Sequence, residues 1–321
     1  MANKITASAP GKLMLFGEHA VVYGHPCIVT AVDQRLFVTV EKNGKDAFHL
    51  SAPDLGLTAY SKTINDLGGE GLPKAVRFIE TFYKRFLEKF PQNEGIDVTT
   101  KSEFSSDFGF GSSSAATVAF AKALMSLYKI EISNKELFDL CYATVIEVQG
   151  VGSGFDVAAA IYGGTVYYVT PGKVIERVFE GELPLEVGYT GIKADTPTLV
   201  RQVAEHKRKH PRTIGALFSQ IERITKKAKK ALKSSNFNLL GKLMNENQEL
   251  LGELGVSSVE LDQLNEVCLR SGSKGAKLSG AGGGDCMIAV VDDNKNEIIE
   301  GIKKNGEYLD VVLGAEGVRV E

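Results

Sequence analysis

Apolar and polar positions along this chain change period several times, and each change marks a predicted element. The opening stretch ITASAPGKLMLFGEHAVVYG predicts a strand, a turn at Pro10-Gly11 and a second apolar segment, and VDQRLFVTVEK alternates as a further strand. Between Leu72 and Phe90 the period lengthens. Val76, Ile79, Phe82, Tyr83, Phe86 and Phe90 recur at helical spacing, and the stripe Phe78, Phe82, Phe86 is expected in the core. IDVTTKSEF predicts a strand, Ser113 to Tyr128 an Ala-rich helix, Asn134 to Val148 another helix, and Gly163 to Tyr168 a strand leaving a tight turn.

The second half predicts a strand over Glu186 to Ile192 and helices over Thr196–His210, Thr213–Ser234, Phe237–Leu254 and Val259–Ser271. A glycine run, a strand (Cys286–Val291), a helix (Glu297–Lys304) and a last strand (Leu309–Leu313) follow. Strands and helices mix in both halves, so an α/β or α+β protein is expected. Pro171-Gly172 and Pro184 fit a boundary between domains, placed at 1–175 and 176–321.

Composition narrows the function classes. The length of 321 residues, at ~150 per domain, fits two domains, and 43% hydrophobic with 24% charged residues is ordinary globular usage. Lys and Arg number 37 against 40 Asp and Glu, so no overall cationic field is available to hold a nucleic-acid backbone. Cys27, Cys141, Cys268 and Cys286 match no CxxC or zinc spacing and are expected as buried free thiols in a reducing compartment. No stretch approaches the ~20 apolar residues of a membrane span, and Glu18 and His19 interrupt any signal-peptide core, so a cytoplasmic location is expected.

Glycine is the exception to average usage: 34 of 321 residues, against a usual ~7%. Four clusters hold many of them. Gly109-Phe110-Gly111-Ser112-Ser113-Ser114-Ala115-Ala116 follows a predicted strand and opens a helix, where small residues admit phosphate oxygens to backbone N–H groups and the helix terminus supplies partial positive charge. No Gly-Lys-Ser/Thr ending is present, so this is not a Walker A loop, and a Ser-capped helix is the structural alternative. Lys277-Leu278-Ser279 followed by Gly280-Ala281-Gly282-Gly283-Gly284 is more permissive than a plain turn needs, which points to close approach of a backbone or ligand. Gly152-Ser153-Gly154-Phe155-Asp156 sets an acid before a helix or turn, where it either caps or catalyses. Pro10-Gly11-Lys12 with Gly17-Glu18-His19 puts three ionisable groups in a mainly apolar run, which points to a cleft.

In this order PGKLMLFGEHAVVYGHP, GFGSSSAA and KLSGAGGG resemble the three motifs of the GHMP kinase superfamily, in wording closest to its mevalonate kinases, and the resemblance covers nearly the whole chain. It implies an α+β, two-domain kinase, with an N-terminal α/β domain, a ferredoxin-like C-terminal domain and ATP between them. It implies that Gly109, Gly111, Ser112, Ser113, Ser114 and Ala115 wrap the nucleotide phosphates and that Ser113 ligates Mg2+. Asp156 would accept or orient the proton of the substrate hydroxyl, while Lys12 lowers its pKa and offsets charge on the transferring group. Glu18, His19, Gly280, Ala281, Gly282 and Thr196 would line the substrate side. The implied partners are ATP and mevalonate, phosphorylated on its 5-hydroxyl in isoprenoid synthesis, with no nucleic acid or membrane; a homodimer stays open.

The chain also departs from the pattern. Ser105-Ser106-Asp107-Phe108 replaces the usual Pro- and Gly-rich lead, and an Asp beside triphosphate repels unless Mg2+ bridges it. Asp285 stands where a fourth glycine is expected. Glu147 is a candidate Mg2+ ligand, or a surface helix charge. VGSGFDVAAAIYGG lacks Asn-Pro-Ser-Gly and looks more like phosphomevalonate kinase, the alternative activity; diphosphomevalonate decarboxylase and a catalytically silent metabolite sensor are further alternatives. His206 to His210 and Lys226, Lys227, Lys229, Lys230 and Lys233 either steer anions or form solvated helix faces. Thr196 and Thr198 either meet substrate or cap a helix.

Overall fold

The computed structural model describes residues 3–69 and 71–321. Two long strands begin the chain, β1 (Lys4–Phe16) and β2 (Pro26–Lys42), then the hairpin β3 (Ala47–Ala52) and β4 (Leu57–Thr63), helix α1 (Arg77–Lys89) and strand β5 (Ile96–Ser102). Helices α2 (Ser112–Leu127), α3 (Asn134–Gln149) and α4 (Phe155–Tyr162) precede strands β6 (Thr165–Val169), β7 (Val174–Phe179) and β8 (Leu185–Tyr189). Four helices follow: α5 (Thr196–Lys209), α6 (Pro211–Lys233), α7 (Phe237–Glu253) and α8 (Val259–Arg270). The chain ends with β9 (Ala276–Ser279), β10 (Cys286–Val290), α9 (Lys295–Asn305), β11 (Glu307–Leu309) and β12 (Arg319–Val320).

These strands form two sheets, one in the order β12-β1-β2-β5-β3-β4 with β6 and β7 branching from β2, the other β11-β8-β10-β9. The expected division after residue 175 falls inside β7, which pairs with β6 in the first sheet. The passage between sheets runs instead through 180–184, before β8. The chain's end also returns: β12 pairs with β1, and the buried Arg35 guanidinium holds that tail by donating to the carbonyls of Glu316 (3.0 Å) and Gly317 (2.9 Å). A buried donor fork satisfied by carbonyls costs far less than an unpaired charge.

Local chemistry explains most boundaries. Ser133 and Glu136 form a reciprocal capping box that starts α3, and Asn236 and Ser258 cap α7 and α8. On α1 the stripe is buried at Phe82 and Phe86, while Phe78 is only partly covered. All four cysteines are buried and free, as expected. Among the described residues, no helix is long and apolar enough to cross a membrane.

The β1–β2 pairing is interrupted where it matters. The register shifts between Pro10 and Lys12, so the strand bulges at Gly11. A Cβ on Gly11 would lie 3.0 Å from both Phe110 Cβ and a Val32 methyl, so the bulge lets the start of α2 pack directly on β1. Beyond the bulge, the Lys12 N–H donates to the Phe110 carbonyl at 2.9 Å.

Candidate active site

The serine loop and the first strand meet at Lys12. Its ammonium donates to the Gly109 carbonyl at 2.6 Å and lies 5.6 Å from the centre of the Phe155 ring. Desolvation pushes the Lys12 pKa down, opposed by the nearby charges of Asp156 and Asp285. No carboxylate among the described residues comes within ion-pair distance of it.

Helix α2 begins without a side-chain cap, because its N-cap residue is Gly111, at φ 75°. The Ser-capped alternative is therefore not what forms: all three serines lie inside the first turn. Ser114 and Ala115 donate their N–H groups to the Gly111 carbonyl, both at 3.1 Å. That leaves the N–H groups of Ser112 and Ser113 at the helix's open, partly positive end. A Cβ on Gly111 would lie 3.1 Å from Lys12 Cε and 3.7 Å from Asp156 Cβ, so the missing side chain lets the loop, the lysine and the aspartate converge.

Asp156 does not cap α4 either; that position is Gly154, at φ 84°. Asp156 stands in the first turn, partly exposed, and accepts the Ser114 hydroxyl at 2.8 Å on Oδ2. Its carboxylate is fixed in direction by two neutral donors, the Ser114 hydroxyl on Oδ2 and the Val157 N–H on Oδ1 at 3.2 Å. A carboxylate fixed in this direction is what a group receiving a hydroxyl proton needs.

The residues present suit a magnesium ion carried by phosphates. The hydroxyls of Ser112 and Ser113 make no side-chain hydrogen bond among the described residues, and with Asp156 they form an all-oxygen donor set. No group of three or more His, Cys, Asp or Glu side chains that could hold a metal occurs among the described residues. A cation here must draw most ligands from phosphate and water, which is how Mg2+ binds. Glu147 does not join this set: it is half-exposed at the end of α3 and paired with Arg85 of α1. The surface-charge alternative describes it better.

The glycine loop closes the cleft from the second sheet. A Cβ on Gly282, at φ 82°, would lie 1.9 Å from the Val256 carbonyl oxygen, so only glycine fits there. Asp285, the departure from the motif, holds a left-handed φ of 56° and is buried. Its N–H donates to the Ile192 carbonyl and its Oδ1 accepts the Ala194 N–H, both at 2.8 Å. Burial pushes its pKa up, opposed by the Ala194 N–H and the Lys12 and Lys193 charges. Lys193, in the same 190–195 segment, reaches back to Asp107 at 2.5 Å. Both unexpected acids therefore fasten one segment: Asp285 along its backbone and Asp107 through its lysine.

Glu18 and His19 part company. The His19 ring meets the Ala281 carbonyl through Nε2 at 2.8 Å, its backbone stands at φ 56°, and burial pushes its pKa below the usual 6.5. Glu18 is not available to a substrate, because it is fully buried and both its oxygens are occupied, by Lys277 and by Asn247 Nδ2 at 3.1 Å. Lys277 carries no role of its own in the sequence, where it only opens the glycine motif. The available signal was a lone charge inside an apolar strand next to the glycine run. Thr196 is exposed at the first position of α5, and Asp195, not either threonine, caps that helix by accepting the Thr198 N–H at 3.2 Å. A Cβ on Gly283 would lie 2.9 Å from Leu199, so the start of α5 packs on the glycine loop.

Four lysines of the basic helices are ion-paired. Lys209 pairs with Glu205, Lys226 with Glu222, and Lys229 and Lys233 with Glu176.

Comparison with known proteins agrees with this geometry. Residues 76–164 match the GHMP kinases N terminal domain and residues 228–307 the GHMP kinases C terminal domain. A mevalonate kinase of Thermococcus onnurineus is 35% identical, over 99% of this chain and 98% of its own. The crystal structure of the Lin0012 protein from Listeria innocua superposes with a TM-score of 0.88 at 27% identity, covering 99% of both chains. That of L. major mevalonate kinase in complex with R-mevalonate gives 0.79 at 26% identity, over 98% of this chain and 97% of that one. The chain belongs to the GHMP kinase family.

Proposed function

We propose that this chain is a mevalonate kinase, transferring the terminal phosphoryl group of Mg-ATP to the 5-hydroxyl of mevalonate. The observation that carries the reading is the convergence of Lys12, the open first turn of α2 and Asp156, with Ser114 as the pin between helix and base. Full-length identity to proteins named mevalonate kinase supplies the substrate.

Phosphoryl transfer asks a protein mainly for position and electrostatics. The Ser112 and Ser113 N–H groups would take phosphate oxygens, and the Ser113 hydroxyl would offer an oxygen to Mg2+, which when bound would neutralise phosphate charge. Lys12 donates to the Gly109 carbonyl, with the charges of Asp156 and Asp285 near it, where an ammonium acts on the transferring group. Asp156 orients the attacking hydroxyl and takes its proton. His19 and the glycine loop face the alcohol side. The nucleotide half spans 1–179 with the returning tail, and the second half begins at β8.

Phosphorus NMR of the protein with Mg-ATP and mevalonate tests this. The reading predicts that ADP and one phosphomonoester appear in equal amounts. ADP without a phosphomonoester, or nucleotide binding without turnover, contradicts it, the second result favouring a metabolite sensor.

A further inference from the structure

Lys277 and Glu18 are both fully buried, and they pair across the two sheets: Lys277 on β9, Glu18 on the β1–β2 connection, 259 positions apart. Two apolar side chains would fill such a space without desolvating two charges, so a buried pair calls for a reason. Its surroundings supply one. Lys277 also donates to the Leu278 carbonyl, and Asn247 holds the second Glu18 oxygen. Ser279, two residues along β9 and so on the same face, accepts the Met14 N–H at 3.0 Å and donates to the Met14 carbonyl at 2.9 Å. Two residues further, the Ala281 carbonyl meets His19. Every second residue of the 277–281 segment thus grips the first sheet's substrate-side segment, at Glu18, Met14 and His19 in turn. The segment's one strained non-glycine backbone, His19 at φ 56°, follows directly on Glu18, and such a conformation persists only where its surroundings enforce it.

We propose that Lys277 is a positioning residue for the phosphoryl transfer: through Glu18 it holds His19 and the glycine loop in the one register that receives the alcohol substrate. Charge gives this register its specificity, since a one-residue slip of β9 would turn the ammonium away from Glu18 and strand both charges. The inference rests on the kinase reading for what His19 faces, not for the pairing itself.

The test compares the parent with Glu18→Gln, which keeps shape and can still accept from Lys277, and with the paired variant Glu18→Gln/Lys277→Met, which removes both charges together. Steady-state kinetics separate KM for mevalonate from KM for ATP. A carbon–proton NMR spectrum, with the His19 ring assigned by its loss in His19→Asn, reports the ring directly. The proposal predicts that the folded paired variant raises the mevalonate KM by about tenfold or more while the ATP KM stays within about twofold, and that the His19 signal moves; Glu18→Gln shows the same split to a smaller degree. A parental mevalonate KM with a parental His19 signal in either folded variant overturns it, leaving the pair as packing alone. Absence of mevalonate turnover in the parent sinks the kinase reading instead, and the His19 signal still decides the positioning.

Discussion

Two lysines stand at the two ends of this cleft, and they use their charge in opposite ways. Lys12 is partly exposed, donates to a backbone carbonyl and, among the described residues, has no carboxylate in ion-pair contact, while Lys277 is sealed from solvent and paired to Glu18. Burial pushes both pKa values down, and in both the nearest carboxylate opposes it. The difference is distance. At Lys12 the carboxylates of Asp156 and Asp285 oppose that fall without direct contact, so the ammonium is left open to a ligand. At Lys277 direct contact consumes it, leaving a fastener between sheets. A buried lysine therefore tells little by itself; what its charge is already committed to separates a reacting group from a holding one.

The largest effect is expected where the reacting end is cut. Asp156→Ala should lower kcat by about 10²–10⁴-fold, with nucleotide affinity by titration calorimetry nearly unchanged, because the base acts in the transition state. The lysine comparison is next. Lys12→Met should leave the thermal midpoint close to the parent and cost about 10²–10³ in kcat, the range for removing one transition-state donor. Lys277→Met should instead lose about 3–5 kcal/mol of unfolding free energy, since it leaves Glu18 buried without its counter-charge. If Lys12→Met unfolds while Lys277→Met is stable and slow, the contrast drawn here is reversed. Gly111→Ala is a milder break: strain at φ 75° with the new methyl 3.1 Å from Lys12 Cε should cost about 1–2 kcal/mol and displace the lysine, read as a several-fold drop in kcat.

The smallest effect is one of pH. The His19 pKa is depressed in the fold by burial, so its contribution to stability is full above the unfolded value of 6.5 and is lost as pH falls through the folded value. Thermal midpoints measured from about pH 7 to about pH 5 should fall more in the parent than in His19→Gln. Parallel curves would mean that burial does not hold His19 neutral.

The sequence revealed one end of the cleft better than the other. Gly109 to Ala115, Lys12 and Asp156 lie in short runs whose small residues and helix start are local features, and the structure places Gly111, Lys12, Ser114 and Asp156 side by side. The helices were legible for the same local reason, their apolar period and caps. The hairpin β3–β4, the strand β7 and the short β9 were not anticipated, because half-polar or four-residue strands carry little periodicity. Glu18 drew notice as a charge in an apolar run, yet its partner lies 259 residues away and no local pattern connects them. The capping alternatives for Ser112, Asp156 and Thr196 were chemically sound; Gly111, Gly154 and Asp195 hold those positions instead. Asp107 reads as out of place beside a triphosphate, and Asp285 as a misplaced residue in a glycine run, because their countervailing contacts, Lys193 and the Ala194 N–H, come from another part of the chain.

The central claim is the substrate, and the ratio of kcat/KM for mevalonate to that for 5-phosphomevalonate, measured by coupled ADP release with Mg-ATP, tests it most directly. The account predicts a ratio well above one, with 5-phosphomevalonate turned over poorly. A ratio below one contradicts it, makes the GSGFD segment the better guide to the substrate, and reassigns the chain as a phosphomevalonate kinase.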